Sequence, residues 1–462
     1  MAFARTMDRL GPFEPCPVLA VAVSGGADSM ALSILAAEWT RRRDGSALAL
    51  VVDHGLRLAS AEEARVTVER LAGLDIAART LLLSGLTHGP ALAERARIGR
   101  YESLIKACRS AGVLHLLLGH HQADQAETVA MRVLRGSRTH GLAGMAALRE
   151  TAAVRLLRPL LGVQPAVLRD FLCDRGIGWI EDPSNQDTRA TRPRLRHRLA
   201  GAGLAASGPG ASGPGASGLG ASGLGASGLG TSGLGTSGLG TSGLGTSGLG
   251  TSGLAAAIAA VGAMRAREEE EAGAELAARA MIRPEGFALL SPGRIGSAAL
   301  AGLLQTIGGA SYAAGADRVA ELAADPRPAT VAGVRIMPAG RFGNGLLIVR
   351  EEAAVMPAVA VARDTTWDRR FRVTAPDDKP AATVGKLGAD AARFRRLSDL
   401  PSAVLRTLPA VRVGNSLVAV PHLRYATDGH GTAIRIWFAP ARPAAGAAFV
   451  PASGFSRRGF AC

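Results

Sequence analysis

The sequence predicts an α/β protein that begins with a doubly wound parallel sheet, followed by a helical extension, a low-complexity linker and a smaller α+β C-terminal region. Short apolar runs alternate with helical patterns between residues 17 and 150. These runs are apolar on both faces, which is typical of parallel strands covered by helices on both sides. The first run stops abruptly at two glycines, and a pentapeptide repeat later interrupts the chain.

Changes in pattern and composition divide the chain into five predicted regions. They are an α/β domain over 1–150, a helical extension with a basic segment over 151–205, a Gly/Ser repeat over 206–254, a helical region over 255–330 and a strand-rich region over 331–462. The repeat uses the units ASGPG, ASGLG and TSGLG. Its side chains are too small to offset the backbone entropy of ordering, so we expect a flexible linker.

Charge and cysteine content restrict the class of protein. Lys and Arg number 53 against 38 for Asp and Glu, a formal net charge of +15, which favours a polyanionic partner such as nucleic acid. The four cysteines, Cys16, Cys108, Cys173 and Cys462, contain no CxxC pair, which argues against a zinc ribbon, an iron–sulfur site and a disulfide framework. No apolar run approaches the roughly 18 residues of a membrane span. We therefore expect a cytoplasmic protein without a membrane partner.

Polar residues follow the apolar runs of the predicted sheet. The runs end at Ser24, near Asp53, near Ser84 and at His120. In doubly wound sheets, ligands bind beyond the carboxyl ends of the strands. We therefore expect Ser24, Asp53 and His120 to converge on one crevice.

The glycine stop reads SGGADS over residues 24–29 and lies between a predicted strand and a predicted helix. Glycines let the backbone approach an oxygen cluster closely, while helix N-terminal amides and Ser hydroxyls can face that cluster. This pattern predicts a phosphate-binding loop. It has neither the lysine of a Walker A loop nor GxGxxG spacing. A plain strand-to-helix turn with a serine cap is the alternative interpretation.

A second motif, GHHQADQAET, covers residues 119–128. Helical spacing places His120, Asp124 and Glu127 on one face, at i, i+4 and i+7. Two carboxylates beside an imidazole at the end of a strand are suited to bind a cationic amine. A metal site and a surface face of salt bridges remain open as alternatives.

These motifs resemble known families. SGGADS resembles the pyrophosphate loop of the ATP pyrophosphatases, which adenylate a substrate oxygen and release pyrophosphate. With the second motif, the chain resembles the tRNA(Ile)-lysidine synthetase family over residues 17–200. Further matching stretches there are VDHGLR, LAERARIGRY, RPLL and WIEDPSNQD, with Arg192, Arg194 and Arg196 after the last. Beyond the repeat, only the order of helices then strands and the stretches GVRI, LPAVRVGN and AVPHL are similar.

The resemblance implies a reaction and its participants. ATP would adenylate the C2 oxygen of the wobble cytidine in a tRNA(Ile) with a CAU anticodon, and the ε-amine of free L-lysine would displace AMP. The product, lysidine, changes codon reading from AUG to AUA. The implied small molecules are ATP as a substrate and Mg²⁺, and a homodimer is compatible with the resemblance.

The resemblance also implies roles for particular residues. The ATP-binding group is Ser24, Gly25, Gly26, Ala27, Asp28, Ser29 and Asp53, with Asp28 as a magnesium ligand. The catalytic group is Asp28, His120, Asp124 and Glu127, in which the last three receive or deprotonate the lysine amine. The tRNA-binding group is Arg95, Arg97, Arg135, Arg192, Arg194 and Arg196.

Two departures from the family pattern stand out. The family helix usually reads HHxDDQxET, and Ala123 replaces its first Asp here. Because Asp124 and Glu127 keep the acidic face, we expect activity to survive. The pentapeptide repeat is not a family feature.

Two other functions compete with lysidine formation as interpretations of the sequence. A 2-thiolase acting on tRNA would need cysteines near the loop or paired as CxxC, and the sequence has neither. A non-catalytic nucleotide sensor or RNA-binding module would need neither Asp28 nor an acidic helix face.

Overall fold

The structure is a computed structural model. It describes residues 2–53, 55, 59–83, 89, 92–134, 139–151, 153–181, 251–362, 365–374, 382–427, 434–446 and 449–452. The chain forms two compact units: the first comprises 1–147, 156–262 and 451–462, and the second comprises 148–155 and 263–450. Most of the pentapeptide repeat, residues 206–250, lies outside the described residues. The five predicted region boundaries stay predictions.

The first unit contains a parallel sheet. Its principal strands are β1 (Val18–Val23), β2 (Ser46–Asp53), β3 (Ala77–Leu82) and β4 (His115–Leu118). β1 pairs in parallel with both β2 and β4, and β2 pairs in parallel with β3. The order β3-β2-β1-β4 confirms the predicted doubly wound sheet. The short strands that follow in the chain are β5 (Leu148–Glu150) and β6 (Arg155–Leu157).

Helices alternate with these strands. They are α1 (Ala2–Arg9), α2 (Ala27–Arg41), α3 (Ser60–Ala72), α4 (Leu92–Ser110), α5 (Gln122–Leu134), α6 (Thr139–Leu142) and α7 (Pro165–Cys173). Helix α2 packs on β1 and is buried on nearly all sides, as expected of a helix whose apolar residues are not confined to one stripe. Helix α3 carries Glu62 and Glu63 in its first turn and Arg70 in its last, which stabilises the helix dipole.

The sheet order determines where a ligand can bind. Strand β1 has β2 on one side and β4 on the other, so the chain reverses its direction of addition at β1. Loops after adjacent strands separate at such a point and leave a crevice at the carboxyl edge. Gly119, which follows β4, borders the start of α2 at this edge, because a Cβ atom built on it would lie 3.4 Å from the amide nitrogen of Ser29.

The second unit is α+β, as predicted. Its helices are the C-terminal part of α8 (Thr251–Arg279), α9 (Ser297–Gly308), α10 (Ala316–Ala324) and α11 (Ser402–Thr407). One antiparallel sheet comprises β7 (Ala280–Arg283), β8 (Phe287–Leu290), β9 (Ala329–Val331), β10 (Val334–Pro338) and β11 (Leu346–Arg350). A second comprises β12 (Val359–Ala360), β15 (Ala382–Lys386), β16 (Pro409–Val413), β17 (Ser416–Val420) and β18 (Tyr425–Ala426). A third comprises β13 (Thr365–Trp367), β14 (Phe371–Thr374) and β19 (Arg435–Phe438).

Turn-forming residues define several of these elements. Strand β10 pairs antiparallel with β11, and β16 pairs antiparallel with β17. Within the predicted helical region over 255–330, α9 and α10 are separate helices, because Gly309 adopts a left-handed φ of 61° and ends α9. Helix α8 begins at Thr251, inside the stretch predicted as linker, where the repeat gives way to an Ala-rich run. None of the helices within the described ranges has the length and apolar character needed to cross a membrane.

Candidate active site

The loop after β1 requires glycine at its first turn. Gly25 has a φ of 81°, a left-handed conformation that other residues rarely adopt. A Cβ atom there would lie only 2.5 Å from Oγ1 of Thr67, a buried residue of α3. Conformation and space therefore both exclude a side chain at this position.

The two serines of the loop have different surroundings. The Ser29 hydroxyl is buried, donates to the Gly26 carbonyl (2.9 Å) and accepts from the Ser24 amide (3.2 Å). Ser24 itself is exposed. Helix α2 begins at Ala27, and no side chain caps its N-terminus. Ser29 therefore shapes the loop, while Ser24 and the first amides of α2 are placed to bind an anion.

A second segment supports the loop from the side of α3. The Ile180 amide donates to the Gly25 carbonyl (2.9 Å), and its side chain contacts the same glycine. The neighbouring Trp179 indole donates to a carboxylate oxygen of Glu181 (2.8 Å). These residues open the WIEDPSNQD motif, whose remaining residues, 182–187, lie outside the described residues. The motif thus begins in direct contact with the phosphate loop.

The acidic groups of the two motifs lie on either side of one histidine. The His121 Nε2 atom is 3.4 Å from Oδ2 of Asp28, and its Nδ1 atom is 3.5 Å from Oδ2 of Asp124. His121 is buried, whereas the Asp28 side chain is 35% exposed and that of Asp124 is 25% exposed. Both carboxylates therefore combine contact with the protein and access to a ligand.

Asp124 also determines where α5 begins. Its Oδ2 atom accepts a hydrogen bond from the His121 amide (3.0 Å), as in a capping box. The helix starts at Gln122, so His120 precedes it instead of occupying its first turn. Asp124 and Glu127 lie on α5, and Glu127 is 5% exposed. Of the three residues predicted to share one helix face, only Asp124 and Glu127 therefore lie on the helix.

His120 is held in a neutral state by its surroundings. Burial lowers its pKa to about 4, and the nearby charge of Arg158 acts in the same direction. The carboxylate of Asp124 opposes this shift, while Arg97 and Arg100 add to it. The Nδ1 atom is buried and has no hydrogen-bond partner among the described residues. At neutral pH this imidazole carries no charge and can exchange hydrogen bonds with a ligand, one as donor and one as acceptor.

Three arginines, Arg97, Arg100 and Arg158, therefore lie close enough to His120 to affect its pKa. Arg158 is 7% exposed and donates to the Ala146 carbonyl (2.9 Å). Arg97, which was predicted to contact tRNA, lies on α4 with its guanidinium 5.3 Å from the centre of the Tyr101 ring. Arg95 lies on the same helix. The other residues predicted to bind tRNA lie outside the described residues: Arg135, Arg192, Arg194 and Arg196.

Asp53 has a defined structural contact. Its Oδ1 atom accepts hydrogen bonds from the Gly55 amide (2.9 Å) and the Ser60 hydroxyl (2.6 Å). The residue is 7% exposed. It thereby connects the end of β2 to the start of α3. Its placement against adenosine stays a prediction.

The donor set at the loop fits one kind of metal site. No cluster of three or more His, Cys, Asp or Glu side chains in the described ranges is placed to hold a metal ion. Magnesium commonly takes only one or two protein carboxylates and completes its shell with phosphate oxygens and water. The single, partly exposed carboxylate of Asp28 fits this pattern.

The cysteines are not arranged for sulfur chemistry in the described part of the chain. Cys16, Cys108 and Cys173 are free thiols. Cys108 is buried on α4, and burial raises its pKa to about 11. A thiol with that pKa is a poor nucleophile at neutral pH.

Comparison with known proteins assigns the class and then the family. Residues 3–202 match the PP-loop domain, which agrees with the sheet order and the loop after β1. A tRNA(Ile)-lysidine synthase of Ruegeria pomeroyi is 33% identical over 424 residues, covering 88% of this chain and 89% of the relative. One of Mesorhizobium japonicum is 32% identical over 419 residues, covering 89% and 83%. The chain belongs to the tRNA(Ile)-lysidine synthase family.

Another relative is more similar over a shorter stretch. A tRNA(Ile)-lysidine synthase of Bradyrhizobium sp. is 46% identical over 187 residues, which is 40% of this chain. In this comparison the chain spans about half, 52%, of the relative's length.

Proposed function

We propose that the protein catalyses ATP-dependent formation of lysidine at the wobble cytidine of a tRNA(Ile) with a CAU anticodon. Family membership over most of the chain supports this reaction. The observation that carries it is the placement of Asp28, at the phosphate loop, and Asp124, at the start of α5, on either side of His121. Nucleotide and amine sites would thus adjoin one another at the ends of β1 and β4.

In the first half-reaction the C2 oxygen of cytidine attacks the α-phosphorus of ATP and pyrophosphate leaves. Ser24 and the uncapped amides of α2 bind the phosphate oxygens, and the left-handed turn at Gly25 lets the backbone approach them. Asp28 would hold Mg²⁺, which when bound neutralises charge on the departing pyrophosphate. The product is a tRNA adenylated at C2.

In the second half-reaction the lysine ε-amine forms a bond to C2, and the bond from C2 to the adenylate oxygen breaks, releasing AMP. Asp124 and the buried Glu127 supply the negative charge that attracts the amine cation. The neutral imidazole of His120 would accept a hydrogen bond from the amine, but a group with a pKa of about 4 retains an extra proton poorly. We therefore assign the proton removed from nitrogen to the carboxylates.

The partners follow from the same proposal. The net charge of +15 fits an RNA substrate, and free L-lysine is the second substrate. We expect the reaction to take place in the cytoplasm. Formation of a homodimer stays a prediction.

The test of the function is incubation of the full chain with tRNA(Ile), ATP, Mg²⁺ and labelled lysine, followed by nucleoside analysis. Label in lysidine, with AMP and pyrophosphate formed in equal amounts, is the expected result. Label absent from the nucleoside, with an active chain from a known relative as control, would contradict the proposal. Sulfur incorporation at the same position from a sulfide donor would favour the thiolase instead.

The amine site has its own test. Glu127→Gln removes one charge-assisted hydrogen bond, which we expect to raise the lysine KM roughly tenfold to a hundredfold. Adenylation should continue because the phosphate loop is untouched, so adenylated tRNA should accumulate at low lysine. A metal site at these carboxylates predicts loss of both half-reactions and rescue by excess divalent ion. An unchanged lysine dependence would remove Glu127 from the amine site.

A further inference from the structure

Arg158 is a buried cation whose position is fixed by the backbone of a neighbouring segment. It directly follows β6 and is 7% exposed. Its amide donates to the Ala147 carbonyl (2.7 Å), and its guanidinium Nη1 atom donates to the Ala146 carbonyl (2.9 Å). The guanidinium group is therefore held in place by protein contacts, which lowers the entropic cost of binding a ligand there.

Two contacts attach this part of the chain to α5, the helix that carries both carboxylates of the proposed amine site. The Gln125 side chain exchanges two hydrogen bonds with the backbone of Met145 (2.9 and 2.6 Å), the residue before the two carbonyls that Arg158 contacts. The Gln122 amide donates to the Val163 carbonyl (2.9 Å). The chain on both sides of Arg158 is thus bonded to the first turn of α5.

His120 connects this cation electrostatically with the amine site. The charges of Arg158 and Asp124 act on its imidazole in opposite directions. Its Nδ1 atom is buried and has no hydrogen-bond partner among the described residues. Buried polar atoms of this kind are rare and point to a ligand or an ordered water. A cation and an anion therefore lie near one polar atom that is available to a ligand.

Free lysine carries both kinds of charge that this arrangement can bind. Its amines are cations, and its α-carboxylate is an anion at the opposite end of the molecule from the ε-amine. A guanidinium group binds a carboxylate through charge-assisted hydrogen bonds of defined geometry. Acidic side chains alone would accept any primary amine of similar length, so selection of an amino acid requires a group that recognises the carboxylate.

We propose that Arg158 is a specificity-determining residue that binds the α-carboxylate of free L-lysine. The inference rests on the proposed function, since it names a second substrate group recognised beside the amine site. The other two arginines near His120 are more accessible: Arg97 is half-buried and Arg100 is exposed. Accessible arginines suit the phosphates of a polymer, whereas a buried guanidinium suits a small molecule inside a cleft.

The experiment compares L-lysine with cadaverine, which has the same carbon chain and terminal amine but no carboxylate. The kcat/KM for each amine is measured with adenylated tRNA in one preparation, so the ratio does not depend on the folded fraction. Wild type should prefer lysine about tenfold to a hundredfold. Arg158→Gln should lower the value for lysine by that factor and leave the value for cadaverine within about threefold. Arg158→Lys keeps the charge and should recover part of the preference.

A matched control separates recognition from stability. Arg155 is also buried, and its Nε atom is 3.4 Å from a carboxylate oxygen of Glu150. Arg155→Gln should lower the thermal midpoint without changing the ratio between the two amines. An equal loss for both amines in Arg158→Gln would overturn the inference. A raised tRNA KM would then assign the guanidinium to a tRNA phosphate, and a lowered thermal midpoint alone would assign it to packing.

A binding measurement keeps this inference distinct from the proposed function. Affinity of the full chain for lysine and for cadaverine, measured by calorimetry, needs no lysidine to form. We expect wild type to bind lysine about tenfold more tightly than cadaverine, and Arg158→Gln to bind the two equally. This pattern in a chain that forms no lysidine would contradict the function and support the carboxylate site. Equal affinities in wild type, with lysidine formed normally, would contradict the carboxylate site and leave the function standing.

Discussion

Two carboxylates, one in each unit, show how the same group serves different purposes. Asp368 in the second unit is fully buried between Arg350 and Arg370, whose side chains are 8% and 1% exposed. Asp28 in the first unit is 35% exposed and has one ring nitrogen of His121 at 3.4 Å. The first is enclosed by its partners, and the second remains open on one side.

The hydrogen bonds of Asp368 occupy both of its oxygens. Oδ1 accepts from Arg350 (3.1 Å) and from the Met356 amide (3.0 Å), and Oδ2 accepts from Arg370 (2.8 Å) and Arg350 (3.2 Å). Arg370 also donates to the Gly286 carbonyl (3.1 Å), and burial lowers its pKa to about 10. This network connects separate segments of the second unit, and it leaves neither carboxylate oxygen of Asp368 available to a ligand.

The difference teaches that burial alone does not mark a functional charge. A buried carboxylate with all its oxygens occupied contributes to structure, whereas a carboxylate at a strand end with a free side is available for chemistry. Substitution should therefore affect stability at Asp368 and activity at Asp28.

The largest expected effect is on stability at Asp368. Asp368→Asn leaves two buried guanidinium groups without their counter-charge, and we expect it to lower the free energy of unfolding of the second unit by about 3–5 kcal/mol. Asn tolerates the left-handed φ of 51° at this position, so backbone strain does not contribute to the expected loss of stability. Urea denaturation measures the change. Asp399→Asn, at a fully exposed carboxylate of the same unit, is the control and should show no change.

At Asp28 we expect a large loss of activity with little change in stability. Asp28→Asn should lower AMP formation at least about a hundredfold, because charge on the leaving pyrophosphate is no longer neutralised. The free energy of unfolding should change by less than about 1 kcal/mol, the range of a helix-dipole contact. The measurements are AMP yield with tRNA and ATP, and urea denaturation. AMP formation within about threefold of wild type would remove Asp28 from the mechanism.

His120 should give a smaller effect, which depends on pH. The unfolded chain binds a proton near pH 6.5, whereas the folded protein binds it near pH 4. Stability from this group is fully present above pH 6.5 and is lost as the pH falls toward 4, because only the unfolded state gains the proton. Over that window the free energy of unfolding of His120→Gln should fall by about 3 kcal/mol less than that of wild type. Parallel stability curves for the two proteins would contradict the lowered pKa.

The smallest effect is expected from the repeat. Deletion of residues 206–250, with a short Gly/Ser joint, should leave AMP formation within about twofold of wild type, since the sequence of the repeat offers no side chain for chemistry. The deletion stops before Thr251, where α8 begins. Loss of adenylation in a folded deletion variant would contradict this expectation. Weaker tRNA binding alone would not, because it reflects altered spacing.

Much of the first unit was predictable because its signals are local. Apolar runs followed by glycine or a polar residue predicted the ends of β1, β2 and β4, and the SGGADS stretch predicted the loop. Parallel strands then bring these ends to one edge, whatever the intervening helices contain. The split between α9 and α10 was not predicted, although Gly308 and Gly309 provide the signal.

The site was harder to predict, because it depends on where a helix begins and on distant packing. Helical spacing predicted that His120 lies on the same helix as the two carboxylates. Asp124 instead accepts a hydrogen bond from the His121 amide, and α5 begins at Gln122, after both histidines. An acidic residue three positions after His121 is the signal that could have identified it. Arg100 and Arg158 were missed as neighbours of His120, since no local pattern connects α4 with the segment after β6.

The contact between Ile180 and Gly25 places a tryptophan, Trp179, next to a residue that is bonded to the phosphate loop. The amide of Ile180 is bonded to the carbonyl of the phosphate loop, and the adjoining indole of Trp179 is held by Glu181. Any ligand that shifts the Gly25 carbonyl must therefore change the surroundings of a partly exposed fluorophore. Trp39 and Trp367 are buried, and the partly exposed Trp437 lies on β19 of the second unit; these three supply the background emission. Ligand binding to the loop can thus be followed without a label, through the emission maximum and intensity of tryptophan fluorescence.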